Sequence, residues 1–205
     1  MAVELDRRET ERKKMIIKCI KLFFTLALLF LGQVQAQITP ASVDVPGWDS
    51  REMLDFSTLP FELSIKEIKG DGSRQLALFG DPNCPYTKQA VEQLSELTDV
   101  TIHVFPAAFI GGQKSESQVQ QVFCRSTNEE RVAAWKSLVL QGEESEVITD
   151  CRANNGEKIR ASFGQLRSSV GLYRNIAPTL IFSNDLAHPG PLPADDIEFL
   201  LDYQP

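Results

Sequence analysis

The chain has 205 residues and carries 28 acidic against 21 basic side chains, a net charge of −7. Such a surface repels phosphate, and no Lys/Arg cluster beyond the N-terminal segment offsets it, so the composition argues against a nucleic-acid partner. The length suffices for one domain with a substantial core, and no internal repeat or low-complexity stretch argues for two.

The first element is an apolar run, Leu22 to Leu31, set between the basic Lys18 and Lys21 and the segment Val34-Gln35-Ala36. It is too short to cross a bilayer of about 30 Å as a helix. It reads as the core of a signal peptide covering residues 1–36, with cleavage after Ala36 and a mature start at Gln37. The charged residues before Met15 would lengthen the signal's basic region, so the true start is expected at Met15. Cys19 leaves with the signal. A retained N-terminal membrane anchor is the alternative; under cleavage, membrane contact is confined to the uncleaved signal. The mature chain keeps 14 basic and 24 acidic side chains, a net charge of −10.

Residues 37–60 carry Pro40, Pro46, Gly47 and Pro60 with little periodicity and read as an irregular lead-in. From Phe61 to Ile68 apolar and polar residues alternate, and a Gly70-Asp71-Gly72-Ser73 turn leads into Leu76-Ala77-Leu78-Phe79, which predicts a hairpin-like pair of strands. After Gly80-Asp81-Pro82-Asn83-Cys84-Pro85, Val91, Leu94 and Leu97 recur at helical spacing through Thr98, which puts Cys84 where a strand turns into a helix. Val100 to Phe105 is a strand closed by Pro106. Two helical stretches follow a Gly111-Gly112 linker: Ser115 to Cys124, and Asn128 to Leu140 with an Asn cap, an acidic first turn and Gly142 as stop. Glu157 to Val170 is a further helix. Thr179 to Phe182 is a buried strand after Ala177-Pro178, the turn Ser183-Asn184-Asp185 and a Pro-rich loop His188 to Pro193 come next, and Ala194 to Tyr203 is the last helix. Interleaved strands and helices imply an α/β fold with a mixed sheet flanked by helices.

Three cysteines remain after cleavage, and an oxidising compartment favours one disulfide and one free thiol. Three pairings are possible. Cys124 and Cys151 bracket a helix and neither has a turn or helix-start setting, so they are assigned to each other as a structural staple of roughly 3.5 kcal/mol in the chain-entropy account. The rival pairings would consume Cys84. At a helix N-terminus the free N–H groups and the helix dipole favour an anion, so a thiolate at Cys84 is stabilised. Pro85 suits the first helical turn, and the Thr87 hydroxyl is placed to donate a hydrogen bond to the sulfur. The polar Pro-Asn-Cys-Pro turn is expected to be exposed; the bland alternative is that Cys84 is a small buried hydrophobe.

Together, Phe79 to Thr87 after a strand, the strand ending Phe105-Pro106, the Cys124 and Cys151 pair in a helical insert of about residues 113–156, Ala177-Pro178 before a strand and Pro189 to Pro193 before a helix resemble the thioredoxin-fold domain of DsbC-like periplasmic protein disulfide isomerases. The resemblance runs from about Phe61 to Tyr203, within a domain of residues 61–205. It implies a thioredoxin-like fold with a helical insertion, Cys84 as the nucleophilic thiol, Pro178 as a cis-proline facing it, Cys124 and Cys151 as a second, structural disulfide, and Pro85, Tyr86 and Ala177 as substrate contacts. The family's active site is Cys-x-x-Cys, whereas Thr87 occupies the second cysteine's position, Ala177 replaces a more usual threonine, and residues 37–60 are too short for the family's N-terminal dimerisation domain.

One thiolate suffices to attack a disulfide and form a mixed disulfide. Thr87 cannot resolve it, so release falls to a thiol of the substrate or to an external thiol donor, which suits isomerisation of exported, disulfide-containing proteins in the periplasm. No cofactor is implied. The reading from a different class is a redox-inactive thioredoxin-fold chaperone or assembly module in which Cys84 is vestigial. No metal site is expected: His103 lies in a strand, His188 in a loop, and they share no ligand spacing with a thiol. Trp135 reads as a helix core residue and Glu143-Glu144-Ser145-Glu146 as a solvated loop.

Overall fold

The computed structural model describes residues 42–46, 48, 51–144, 146–172, 174 and 176–204. The expected signal segment, the start at Met15, the cleavage after Ala36 and Cys19 lie outside them. Seven strands, β1 (Ser42–Val43), β2 (Arg51–Met53), β3 (Ile65–Lys69), β4 (Arg74–Gly80), β5 (Val100–Pro106), β6 (Thr179–Phe182) and β7 (Leu186–Pro189), form one mixed sheet in the order β1-β2-β7-β6-β4-β5-β3. The helices are α1 (Pro85–Glu96), α2 (Gly112–Phe123), α3 (Asn128–Lys136) continued by a π-helical turn Ser137–Gln141, α4 (Asn155–Ser169) and α5 (Ala194–Asp202).

The expected hairpin does not form. Strand β3 pairs antiparallel with β5 (Ile65 opposite Val104), while β4 lies on the other side of β5 and runs parallel to it (Leu76 opposite Ile102). Residues Leu76 to Gly80 are buried without interruption, which demands cover on both faces and a central place; β6 flanks β4 antiparallel on its other edge. By contrast β3 alternates buried and exposed residues and suits an edge. The connecting turn is held at the entrance of β5, where the Asp99 carboxylate accepts the Asp71 N–H at 3.2 Å. Gly70 there has φ +56°, and a β-carbon on it would fall 2.0 Å from Asp99 Oδ1.

Four further boundaries differ from the sequence reading. Phe61–Leu63 is a 3₁₀ turn rather than strand, because its Leu63 N–H bonds back to Pro60 O at 2.8 Å. The stretch before residue 60 contributes β1 and β2 to the sheet, and Val45, Leu54, Phe56 and Leu59 to the core. The Pro-rich segment opens as β7, reached through a tight turn in which Asp185 has φ +67° and its carboxylate accepts the Phe56 N–H at 2.9 Å. Helix α3 is capped by Thr127, whose hydroxyl and Glu130 form a reciprocal capping box. Asn128 is thereby freed to bond the backbone of Lys66 on β3, accepting its N–H at 2.9 Å and donating to its carbonyl at 2.6 Å.

His103 on β5 is buried under the Phe61 ring, 4.6 Å between centroids, with Ser64 Oγ and Gln75 Oε1 near its two nitrogens. Desolvation, helped by the charge of Lys66, lowers its pKa from 6.5 to about 4. The unfolded chain therefore binds the proton first as pH falls. Stability is full above about pH 6.5 and is lost toward pH 4, by roughly 2 kcal/mol allowing for partial solvent screening. Urea titrations across that range should show the loss, and His103→Gln should flatten the part due to this residue; an equal slope in both proteins would assign the loss elsewhere.

The sheet brings three strand ends to one place. Gly80 ends β4 opposite Pro106 at the end of β5, and Phe79 pairs with Thr179, the first residue of β6. Beneath them the Phe79 ring stacks on Phe105 at 4.4 Å and on Phe163 of α4 at 4.3 Å.

Candidate functional site

Helix α1 can start directly beneath the end of β4 because residue 80 is glycine. A β-carbon there would fall 2.7 Å from Thr87 Cγ2. The chain then turns: Asn83 N–H bonds Asp81 Oδ1 at 2.8 Å, and Cys84 N–H bonds Asp81 O at 3.1 Å, an Asx-type turn that delivers Cys84 to the N-cap. Cys84 is extended (φ −88°, ψ 120°), Pro85 is the first helical residue, and Lys88 N–H closes the first turn on Cys84 O at 3.2 Å.

Cys84 is the free cysteine among the described residues, and it is only 2 % exposed. Its turn is polar and Pro82 and Asn83 are half-buried, but the sulfur points inward and donates to the Ala177 carbonyl at 3.4 Å. This corrects the expectation of an exposed thiol. The Ala177-Pro178 bond is cis. Pro178 is buried and its carbonyl accepts the Gly190 N–H at 2.8 Å, while the Thr179 hydroxyl reaches back to Ile176 O at 2.6 Å. The structure thus brings Cys84, Ala177 and Pro178 together from opposite ends of the domain sequence.

Thr87 is fully buried, and its hydroxyl oxygen accepts the Asp81 N–H at 3.3 Å. It serves the end of β4 and makes no hydrogen bond to the sulfur, contrary to the donor role expected from the sequence. Pro85 and Tyr86 face outward, Tyr86 being 57 % exposed. Cys124 and Cys151 are bonded to each other, with Cα atoms 5.7 Å apart, at the far end of α2. They take no part in the Cys84 turn.

Sequence reading missed the polar cluster behind this turn. Asp81 is fully buried, and its carboxylate accepts the Ser115 hydroxyl at 2.7 Å, Ile110 N–H at 2.7 Å and Gly111 N–H at 3.1 Å besides Asn83 N–H. Asn83 Nδ2 donates to Ser115 Oγ and Gln118 Oε1, each at 2.7 Å, and Gln118 Nε2 donates to Glu144 Oε1 at 2.7 Å. The available signals were the Asp-x-Asn spacing of an Asx turn and the i, i+3 spacing of Ser115 and Gln118 on one face of α2. Among the described residues no cluster of His, Cys, Asp and Glu is arranged to hold a metal ion.

Residues 61–205 match the Thioredoxin-like domain family. The chain is 29 % identical over 143 residues to a "Probable thiol:disulfide interchange protein DsbC" of Bordetella pertussis, covering 70 % of this chain and 47 % of that protein. A protein of the same name from Bordetella avium is 33 % identical over 140 residues, covering 68 % of this chain and 46 % of that one. The chain therefore spans about half the length of the curated relatives it matches. A solved structure of a disulfide interchange protein from Neisseria gonorrhoeae superposes with a TM-score of 0.59 at 26 % identity, covering 70 % of this chain and 96 % of the other.

Proposed function

The chain belongs to the thioredoxin-like domain family, and from that premise we propose that it carries out thiol–disulfide exchange on exported, disulfide-containing proteins, with Cys84 as the nucleophile. The observation that supports this most is the meeting of a helix-cap thiol with the carbonyl before a cis-proline, Cys84 Sγ to Ala177 O at 3.4 Å. The names borne by the relatives agree with it. We further propose that the mature domain works in the periplasm, a reading supported by the apolar run of the N-terminal sequence and by the relatives' names.

In the proposed reaction the Cys84 thiolate, at the positive end of the α1 dipole, attacks one sulfur of a substrate disulfide. A bond forms between Cys84 and that sulfur, the substrate S–S bond breaks, and the other substrate sulfur leaves as a thiolate. A second substrate thiolate then attacks the substrate sulfur of the adduct, forms a new substrate disulfide and expels Cys84. No electrons are gained or lost overall, so isomerisation needs no second cysteine. Two external thiols would instead release the substrate reduced: the first attacks the Cys84 sulfur and frees the substrate thiol, the second attacks the sulfur of the first, frees Cys84 and leaves the donor as its disulfide. Pro85 and Tyr86, exposed on the first turn of α1, and Ala177, whose carbonyl meets the sulfur, are the residues proposed to meet the substrate chain.

A second reading, a redox-inactive chaperone or assembly module, draws on the burial of Cys84 and on threonine at position 87. The two separate in one experiment. The protein is incubated with a scrambled disulfide substrate, quenched in acid and mapped without reduction. Exchange predicts a cross-linked peptide containing Cys84, with Cys124 and Cys151 still joined to each other. Suppression of substrate aggregation without any such peptide would leave only the binding module.

A further inference from the structure

Asp81 does more than start a turn. Its Oδ1 takes Asn83 N–H from the turn and the Ser115 hydroxyl from α2, and its Oδ2 takes Ile110 N–H and Gly111 N–H from the loop entering α2. Its own backbone N–H bonds Thr87 in α1, and its carbonyl bonds the N–H of Cys84. One buried residue therefore joins the end of β4, the cysteine turn, the first turn of α1, the loop and α2. Burying a carboxylate is costly unless each lone pair is matched, and here both oxygens are doubly matched.

The directions of these bonds are fixed. Ser115 gives its single proton to Asp81, so its oxygen accepts from Asn83 Nδ2, and Gln118 accepts from the same amide. Three of the four groups facing the Asp81 carboxylate are backbone N–H groups that cannot become acceptors. Packing is equally tight: a β-carbon on Gly111 would fall 2.1 Å from Ser115 Oγ and 2.9 Å from Asn83 Nδ2. Little in this corner can shift without moving the turn that holds the sulfur.

We propose that Asp81 is a positioning residue for the exchange reaction, its carboxylate locking the Cys84 turn to the 110–111 loop and α2 so that the sulfur is held in its place beside the Ala177 carbonyl. The proposal rests on the exchange reading above. Asp81→Asn keeps size and shape but turns an NH₂ toward at least one backbone N–H, whichever way the amide faces. Ser115→Ala removes one bond to the carboxylate and one to Asn83. Leu54→Ala serves as a stability control, because Leu54 is fully buried next to β2, three strands away from β4.

The test is the second-order rate of Cys84 adduct formation, measured with a small aromatic disulfide and with a scrambled disulfide protein, each variant well below its own melting midpoint. Asp81→Asn is expected to slow both reactions about tenfold or more, as a misplacement of the nucleophile would. Ser115→Ala should slow them about threefold, and Leu54→Ala should leave the rates unchanged while lowering the midpoint. An unaltered rate in Asp81→Asn overturns the positioning role, and so does an equal loss in Leu54→Ala. A faster rate also overturns it, since the carboxylate would then be a latch over the thiol. If Asp81→Asn does not fold, Ser115→Ala against Leu54→Ala decides the matter. Wild-type protein that forms no adduct at all would remove the exchange reading and this proposal together, whereas an adduct in wild type with no change in the variants removes only the proposal.

Discussion

Thr87→Cys is expected to shorten the life of the mixed disulfide about 100-fold, and Cys84→Ser to abolish the adduct altogether. Residue 87 lies in the first turn of the helix that Cys84 caps, so a sulfur placed there belongs to the same rigid element as the adduct and competes with dissolved thiols at a far higher effective concentration. Its attack on the Cys84 sulfur would release the substrate as a thiol and leave a disulfide inside the helix turn. The substrate gains two electrons and the protein loses two, so the variant becomes a reductase that stops after one turnover unless an external reductant is present. A modest stability cost of about 1 kcal/mol should accompany the change, because the Asp81 N–H loses its oxygen acceptor in Thr87. Quenching the adduct at intervals and weighing it by mass spectrometry gives the lifetime directly. Equal lifetimes in the two proteins would mean that release does not wait for a second thiol, and the monothiol account would have to be given up.

Phe163→Ala should destabilise the domain by about 4 kcal/mol, within the range for removing a buried phenylalanine ring. The ring has no exposed surface, stacks on Phe79, meets Phe109 edge-on at 5.8 Å and lies under the Arg167 guanidinium at 5.6 Å. Arg167 is itself buried, pairs with Glu52 at 2.7 Å and donates to Arg174 O at 2.6 Å, three residues before Ala177. Losing the ring therefore loosens α4 from the sheet and weakens the support of the segment that leads to Pro178. Chemical denaturation of the variant should show the midpoint falling with an unchanged slope. A loss below about 1 kcal/mol would show that the neighbouring rings close over the gap and that α4 is not anchored through Phe163.

The sheet's centre and the cysteine turn were legible because they depend on local pattern. Leu76 to Phe79 is an unbroken apolar run, and Pro85 after Cys84 marks a helix start. Strand partners were not legible. The alternation of residues 61–68 and the glycine turn after it suit a hairpin as well as a crossing, and the choice is made by Asp99, some 25 residues on, whose carboxylate secures the turn at the head of β5. The lead-in is illegible for a related reason: Leu54 and Phe56 show no period, yet both are buried just after β2 pairs with β7, their N–H groups bonded to Asp185 more than a hundred residues later. At the site, Cys84 is singled out by its place at a helix start, whereas Ala177 and Pro178 enter through a resemblance that carries long-range information. Burial of the thiol was not, because composition of the turn is polar while the direction of one side chain depends on where Ala177 is brought.

Asn128 has a consequence beyond the helix it opens. Strand β3 closes one side of the sheet, and an antiparallel edge offers outward-facing backbone pairs at alternate residues, here Lys66 and Ile68. The Asn128 carboxamide occupies the first of these pairs, N–H and carbonyl together, as a neighbouring strand would. A passing extended polypeptide is left with a single open rung on β3, too few to dock by strand addition. An unfolded chain that meets the domain is therefore denied a generic sticking point along that edge, and self-association of the domain through β3 is blocked by the same side chain.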